Sequence, residues 1–385
     1  METRTTRRGF FNLGLAVPAA AAWTSRPPVA VPPRQSQPPE LRYRTLGKTG
    51  LKVTTVGFGC MITSDGTVIE RAADLGINYF DTARGYQRGN NERMVGAALK
   101  SRRDRVFISS KTGARDKAGA LAHLETSLKE LQTDHLDIWY LHAMSRPEEL
   151  TDELCDALEQ ARQAGKIRFA GVSLHSGHQE LIPVLAANPH IDVLLVSYNF
   201  TMDPSLERLL EAAAGAGKGI VAMKVMAGGF RRVREGDPLH ARLTAEGAML
   251  AALKWAIRQP FVHTSIPSIT DVDQLQENLR AMAEPISEAE TLLLQARSEE
   301  LRPLYCRMCG SCAGVCPKGL PVADVLRYLT YAEGYGQYYL AREGYQTLPR
   351  ELQEVRCADC TGCSVRCPHG VQVQARLRHA QELLA

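Results

Sequence analysis

Between Leu41 and about Glu300, short apolar runs alternate with longer amphipathic ones. The runs VTTVGFG (53–59), INYFD (77–81), VFISSK (106–111), DIWYLH (137–142), FAGVS (169–173), VLLVS (193–197), GIVAMK (219–224) and VHTSIP (262–267) are almost continuously apolar. That is the pattern of strands buried on both faces in a parallel sheet. Helical periodicity fills the intervals, for example over 119–131 and over 148–165, where Gly165 supplies a stop. Eight strands, each followed by a helical segment over about 250 residues, predict a (β/α)8 TIM barrel. A doubly wound open sheet would carry a G-x-G-x-x-G turn after its first strand, and the sequence has none. YRTLGKTGLKV (43–53) predicts a small hairpin closing the barrel bottom, with its turn at Lys48, Thr49 and Gly50.

The ends of the chain break this pattern. TTRRGFFNLGLAVPAAAAW joins the pair Arg7 and Arg8 to a short apolar stretch and then to alanines, with small-residue cleavage sites around Ala20 to Ala22. It resembles a twin-arginine export signal over residues 1–22. That signal class carries proteins already folded around their cofactors, so the expected partner during export is the twin-arginine translocase. The expected location is the periplasm, or another destination reached by that route. Residues 23–40 hold Pro27, Pro28, Pro32, Pro33, Pro38 and Pro39 and read as an extended tether. The barrel is expected over 41–300 and a second, small, mainly helical domain over 301–385.

The chain has 385 residues, 44% of them hydrophobic, enough for one large core and a smaller one. A net charge of +4 with no basic run beyond pairs gives no footprint for nucleic acid. No apolar stretch reaches the roughly 18 residues of a membrane-spanning helix, so no integral membrane segment is expected in the mature chain.

Eight of the ten cysteines fall in two copies of one spacing. Cys306, Cys309, Cys312 and Cys316 precede Pro317, and Cys357, Cys360, Cys363 and Cys367 precede Pro368. Both read C-x2-C-x2-C-x3-C-P, the ferredoxin run that ligates [4Fe–4S] clusters, in which the fourth cysteine serves the other cluster. The expected ligand sets are therefore Cys306, Cys309, Cys312 and Cys367 for one cluster, and Cys357, Cys360, Cys363 and Cys316 for the other. Structural zinc draws on separated cysteine pairs, and disulfide scaffolds are usually short secreted chains, so both fit less well. Cys60 and Cys155, outside the runs, read as small buried hydrophobes.

In such barrels the reacting groups stand at the C-terminal ends of strands. There the sequence places Asp81, Lys111 and His142, with Tyr86 in the loop after Asp81. A tyrosine has a reference pKa near 10 and needs help to exchange a proton at neutral pH. A lysine cation beside it favours the phenolate, a carboxylate holds the lysine charged, and a histidine can bond the substrate oxygen. The set suits reduction of a carbonyl by hydride from a cofactor.

GINYFDTARGY, SSK, WYLH, GKIRFAGVS and SYNF resemble the aldo/keto reductase family over roughly residues 41–285. The whole chain resembles the subgroup with a C-terminal ferredoxin-like domain. The resemblance implies a catalytic tetrad of Asp81, Tyr86, Lys111 and His142 and a nicotinamide cofactor, NADP or NAD, across the barrel mouth. It also implies cofactor contacts from Gly59, Cys60, Met61, Asp81, Ser173, Tyr198, Lys224, Ser268, Glu277 and Asn278. Departures fall at the cofactor. Leu174 follows Ser173 where the family places an asparagine, and Leu195 stands in place of a glutamine. Lys224 stands where an aromatic ring is common, and Ser268 and Gln274 replace the cations for a 2′-phosphate. Asp271 and Asp273 add negative charge there, which repels a phosphate.

The expected activity is interconversion of a carbonyl and an alcohol on an aldehyde, ketone or sugar-derived substrate. The alternative is an iron–sulfur electron-transfer protein whose barrel docks a redox partner. A structural role for the clusters, pinning the second domain over the barrel mouth, is also open. Of six tyrosines in YLTYAEGYGQYYLAREGY (328–345), Tyr328, Tyr331, Tyr335, Tyr338 and Tyr339 follow helical spacing and read as packing rather than as a partner surface. The loop between the first barrel strand and its helix is short, which predicts a site that is either open or roofed by the cluster domain.

Overall fold

The computed structural model describes residues 40–229 and 247–385, so the expected export signal and nearly all of the tether lie outside the described residues. Ten strands occur among them: β1 (Tyr43–Thr45), β2 (Lys52–Thr54), β3 (Phe58–Gly59), β4 (Tyr79–Asp81), β5 (Phe107–Thr112), β6 (Leu136–Met144), β7 (Ile167–Leu174), β8 (Val193–Ser197), β9 (Gly219–Met223) and β10 (Thr264–Ser265). Strands β3 to β10 form one parallel sheet in sequential order. Parallel bridges from Val56 to Ser265 and from Gly59 to Ser268 join its two edges, closing the (β/α)8 barrel.

The apolar run 53–59 does not form one strand. Its first residues belong to β2, which pairs antiparallel with β1 through Arg44 and Val53, and only Phe58–Gly59 enters the barrel. The chain has to turn from the hairpin under the barrel into its wall, and residues 55–57 make that turn. The hairpin plugs the bottom as its turn chemistry suggests. Leu46 is fully buried and Lys48 N donates to the Gly217 carbonyl at 2.8 Å. Gly47 has φ +53°, and a Cβ there would lie 2.4 Å from the backbone N of Gly219. Above this plug the barrel interior is filled by Leu51, Val53, Tyr79, Ile138, Tyr140, Leu195 and Val221, with the Tyr79 and Tyr140 hydroxyls bonded at 2.8 Å. The bottom is therefore a packed core.

The C-terminal segment is a second core of helices. Val322–Glu333, Tyr338–Gln346 and Val373–Leu384 bury Val325, Leu329, Tyr345, Leu377 and Ala380 against one another, and the cysteines of both runs pack at the edge of that core. The helix Glu288–Leu301, started by a Ser287/Glu290 capping box, leads into it. The tyrosine-rich stretch does not form one helix. It breaks between Glu333 and Tyr338, and the break lets the segment fold over the barrel top.

Barrel and C-terminal segment pack as one compact unit. Asn199 Nδ2 donates to the Tyr305 hydroxyl at 3.2 Å, buried Arg297 donates to the Gly229 carbonyl at 2.9 Å, and Leu301 and Tyr305 pack on Ala227. The closest approach is at Gly334, where an added Cβ would lie 2.2 Å from the Gly228 carbonyl oxygen. Gly334→Ala is therefore expected to push the two backbones apart and cost about 1–3 kcal/mol. Denaturant unfolding followed through the visible cluster absorbance checks this; a midpoint equal to that of the unmodified protein would show that the contact is not a constraint.

Candidate active site beneath the C-terminal domain

Every barrel strand ends at the top, and the residues there converge. Asp81 is the last residue of β4, in register with Ser109 of β5, and Lys111 lies two residues further along β5. Lys111 Nζ donates to Asp81 Oδ2 at 2.5 Å and to the Thr82 carbonyl at 2.7 Å. Ser109 Oγ donates to the other Asp81 oxygen at 2.7 Å. Both partners are essentially inaccessible, at 2% and 1%. Burial drives each toward its neutral form, raising the pKa of Asp81 and lowering that of Lys111, and each partner's charge pulls the other back.

Tyr86 opens the 3-10 turn that follows β4, and non-helical backbone at Gln87 and Arg88 turns the chain sharply after it. Lys111 Nζ stands 4.8 Å from the Tyr86 ring centroid. His142 meets the same ring edge-on at 5.9 Å. A β-bulge between Leu141 and Met144 aims His142, with Ala143 at φ +55°. Ser173 Oγ accepts from Ala143 N at 2.9 Å and Arg115 donates to the His142 carbonyl at 3.0 Å, and together these fix the bulge.

The expectation that Lys111 would lower the Tyr86 pKa is corrected. Burial, and after it the Asp81 charge, hold the phenol well above its ordinary value. Asp81 neutralises the lysine at the distance from which the phenol senses it, so desolvation wins. His142 lies well below its usual range through burial first and then through the cations Lys111, Arg327, Arg115 and Lys224. Tyr86 is thus a proton-bearing donor and His142 a neutral imidazole.

Asp81, Tyr86 and His142 border a cavity of about 670 Å³, within the range of ligand pockets, and Lys111 stands behind them against Asp81 and the Tyr86 ring. Of the expected cofactor contacts, Gly59, Met61, Asp81, Lys224 and Ser268 line it, while Cys60, Ser173, Tyr198, Glu277 and Asn278 do not. Tyr198 is a correction. Its ring packs between Trp255 and Phe261 and its hydroxyl donates to Glu207 at 2.7 Å, on the outer shell rather than in the mouth. Ser173 serves the backbone beneath His142. Buried Asn278 lies four residues along the helix from Gln274, on the same face, and its Oδ1 has no hydrogen-bond partner among the described residues. The amino group of an adenine is a donor that would satisfy it. A cavity lined at one end by Tyr86 and His142, and at the other by Ser268, Thr270 and Gln274, fits an elongated dinucleotide. At that far end Gln274 bonds Asp271 Oδ2 at 2.6 Å, and Asp271 caps the Val272–Ala283 helix.

Of the two expected alternatives, open or roofed by the cluster domain, the site is roofed, though the sequence did not single out the residues that form the roof. Arg327, Tyr328, Tyr331, Tyr335 and Glu343 of the C-terminal segment line the same cavity, and so does His175, just past β7. His175 could have been found as a polar residue at a strand end. The roof tyrosines were visible only as a helical stripe.

The cysteines assemble across the two runs. Burial pushes the Cys306 thiol up to about 12, with Cys312, Cys309 and Cys367 as its charged neighbours. Cys357 is raised by burial and by Cys316, Cys360 and Cys363. Four gathered sulfurs cannot all ionise without a cationic partner, and soft thiolates suit iron–sulfur centres. Cys306, Cys309, Cys312 and Cys367, drawn from both runs, line one small cavity.

Comparison with known proteins agrees with this arrangement. Residues 65–246 match the aldo/keto reductase family and residues 305–372 the 4Fe-4S dicluster domain. The uncharacterized oxidoreductase YqkF of Bacillus subtilis is 28% identical, over 68% of this chain and 97% of its own. The holo form of an aldo-keto reductase from Bacillus halodurans superposes with a TM-score of 0.58 at 28% identity, over 66% of this chain and 96% of that one. An aldo/keto reductase from Klebsiella pneumoniae, solved with NADP and acetate, superposes with a TM-score of 0.55 at 25% identity, over 66% and 95%. The chain is an oxidoreductase acting on carbonyl and alcohol groups, built from an aldo/keto reductase barrel and a C-terminal 4Fe–4S dicluster domain.

Proposed function

We propose that the protein is an exported enzyme that interconverts a carbonyl and an alcohol, on an aldehyde, ketone or sugar-derived substrate, at the cavity under its C-terminal domain. The observation that carries this reading is the Asp81–Lys111–Tyr86–His142 arrangement in a buried cavity. Tyr86 gives its proton to the carbonyl oxygen as that oxygen gains charge, or takes it back in the reverse direction. Lys111, anchored by Asp81 and the Thr82 carbonyl, stands 4.8 Å from the Tyr86 ring centroid and positions it. His142, kept neutral, bonds the substrate oxygen and orients it. The roof excludes water, which strengthens each of these interactions. A nicotinamide dinucleotide supplies or accepts the hydride when bound, with Gly59, Met61, Ser268 and Gln274 along its path. The Klebsiella relative's NADP supports that cofactor class, and the uncharged Ser268 and Gln274 leave NAD equally compatible.

The two cysteine sets would hold two [4Fe–4S] clusters, whose role here is to brace the roof. A docking scaffold for an electron-transfer partner would need neither a roofed cavity nor a polar tetrad beside it. The sequence TTRRGFF supports the twin-arginine translocase as export partner and a periplasmic or otherwise exported location.

The decisive experiment purifies the mature exported protein without oxygen, identifies released nucleotide by mass spectrometry, and counts iron. Stoichiometric NAD or NADP with about eight irons per chain is the expected result. A protein that carries no nucleotide and binds neither added NADH nor added NADPH would sink the reductase reading.

A further inference from the structure

Two tyrosines face the same cavity from opposite sides, and their surroundings differ. Tyr86 stands on the barrel wall beside a lysine already neutralised by Asp81. Tyr331 hangs from the Val322–Glu333 helix of the C-terminal domain, only 6% accessible. Lys224 Nζ donates to the Tyr331 hydroxyl oxygen at 3.2 Å and Arg327 Nη1 donates to it at 3.2 Å. The two cations come from different domains. Lys224 follows β9, with its backbone held at φ +57°, and its own carbonyl accepts from Asn199. Arg327 lies one helical turn before Tyr331 and is tethered to Asp324 at 2.7 Å. Tyr335 stacks on Tyr331 with centroids 5.5 Å apart.

We propose that Tyr331 is a second acid–base residue of this site, supplied by the C-terminal domain, which removes a proton from the substrate carbon adjacent to the carbonyl held by Tyr86 and His142. The proposal rests on the carbonyl-binding reading of Tyr86. A carbonyl whose oxygen accepts hydrogen bonds has a more acidic neighbouring C–H. In the step, the C–H bond breaks and its proton passes to the Tyr331 oxygen. The bonding pair forms the C=C of an enol, and the carbonyl oxygen takes the proton of Tyr86. Nothing is oxidised or reduced, so no hydride is needed. A base on the roof, facing an acid on the floor, reaches a different substrate atom from the one that the acid serves.

The electrostatics agree with the geometry. Burial opposes ionisation of Tyr331, but Lys224 and Arg327 outweigh it and bring the phenol down to about 8, close to where a base works best. The other groups near it are Tyr86, Tyr305 and Tyr335, each raised in part by its charge. His142 and His175, both pushed well below their usual range by burial and by cations that include Lys224 and Arg327, stay neutral and add no charge. Tyr328 lies with its ring 6.4 Å from that of Tyr331 and under the Arg327 guanidinium, and Asp324 pairs with Arg327.

The test uses the full-length holoprotein and two readouts that need no nicotinamide turnover. Phenolate difference absorbance across a pH titration is expected to show one tyrosine ionising near pH 8. Tyr331→Phe removes that transition while keeping the stacked ring, and Lys224→Met, which keeps the tyrosine, moves it upward. The second readout is deuterium uptake from D2O at the carbon beside the carbonyl of DL-glyceraldehyde, followed by proton NMR. Wild-type protein accelerates uptake over buffer, and Tyr331→Phe lowers the rate about 10²-fold or more. Absence of any tyrosine ionising below pH 10, or uptake equal in wild type and Tyr331→Phe, overturns the proposal. Loss of nucleotide-dependent reduction in Tyr86→Phe is measured separately, so failure of the reductase reading is distinguishable from failure of this one.

Discussion

Tyr86→Phe is expected to lower nucleotide-dependent carbonyl reduction by about 10³-fold, the middle of the range for loss of a positioned general acid. The substitution deletes one oxygen and little else. The ring remains, so Lys111 keeps its cation–π partner at 4.8 Å and His142 keeps its edge contact. The Asp81–Lys111 pair is untouched, because its hydrogen bonds run to each other, to Ser109 and to the Thr82 carbonyl, and not to Tyr86. The fold and the cluster absorbance are therefore expected to stay the same, and the loss should fall on kcat rather than on nucleotide affinity. Lys111→Met is a useful contrast. It leaves Asp81 buried without its partner, which costs about 3–5 kcal/mol, so that variant should lose stability together with activity. Steady-state kinetics with visible spectra on both variants separate the two cases. If Tyr86→Phe kept more than a tenth of the wild-type rate, proton donation would have to come from another group.

The architecture was legible because each barrel strand is buried on both faces, which writes an apolar run into the sequence. Asp81, Lys111 and His142 were legible for the complementary reason, as polar residues ending such runs. Three features were not. The split of residues 53–59 depends on where the hairpin pairs, and residues 53–59 are buried without a break that would mark it. The outward turn of Tyr198 depends on Trp255 and Phe261, far along the chain, so an aromatic after β8 could not be assigned to mouth or shell. The roof depends on a break at Gly334 and on the approach of Gly228. Neither glycine announces a tertiary contact, so a tyrosine stripe that closes the active site read as ordinary helix packing. The phenol pKa also escaped, because the sequence shows the lysine and the carboxylate that holds it but not the burial that outweighs them.

Cys367→Ala carries the largest expected structural effect, because the cysteine sets cross. Cys367 belongs to the second sequence run but neighbours Cys306, Cys309 and Cys312 in space. Its loss should cost the protein about four of about eight irons while the other cluster remains. Metal binding is folding energy in such small domains, so the roof should loosen. Its thermal transition should fall by roughly 10 °C or more, at about 4–8 °C per kcal/mol for a unit of this size. Tyr331 would then lose the fixed position against Lys224 on which the cavity depends. A double variant decides whether the sets truly cross. Cys309→Ala with Cys367→Ala removes two ligands of one cluster, so its iron loss should equal that of either single change, the non-additivity of residues acting as a unit. Cys309→Ala with Cys316→Ala strikes both clusters and should remove all the iron, although both cysteines lie in the same sequence run. The reverse outcome, total loss from the first pair and half loss from the second, would mean that each run holds its own cluster and that the two loops are not stapled through their fourth cysteines.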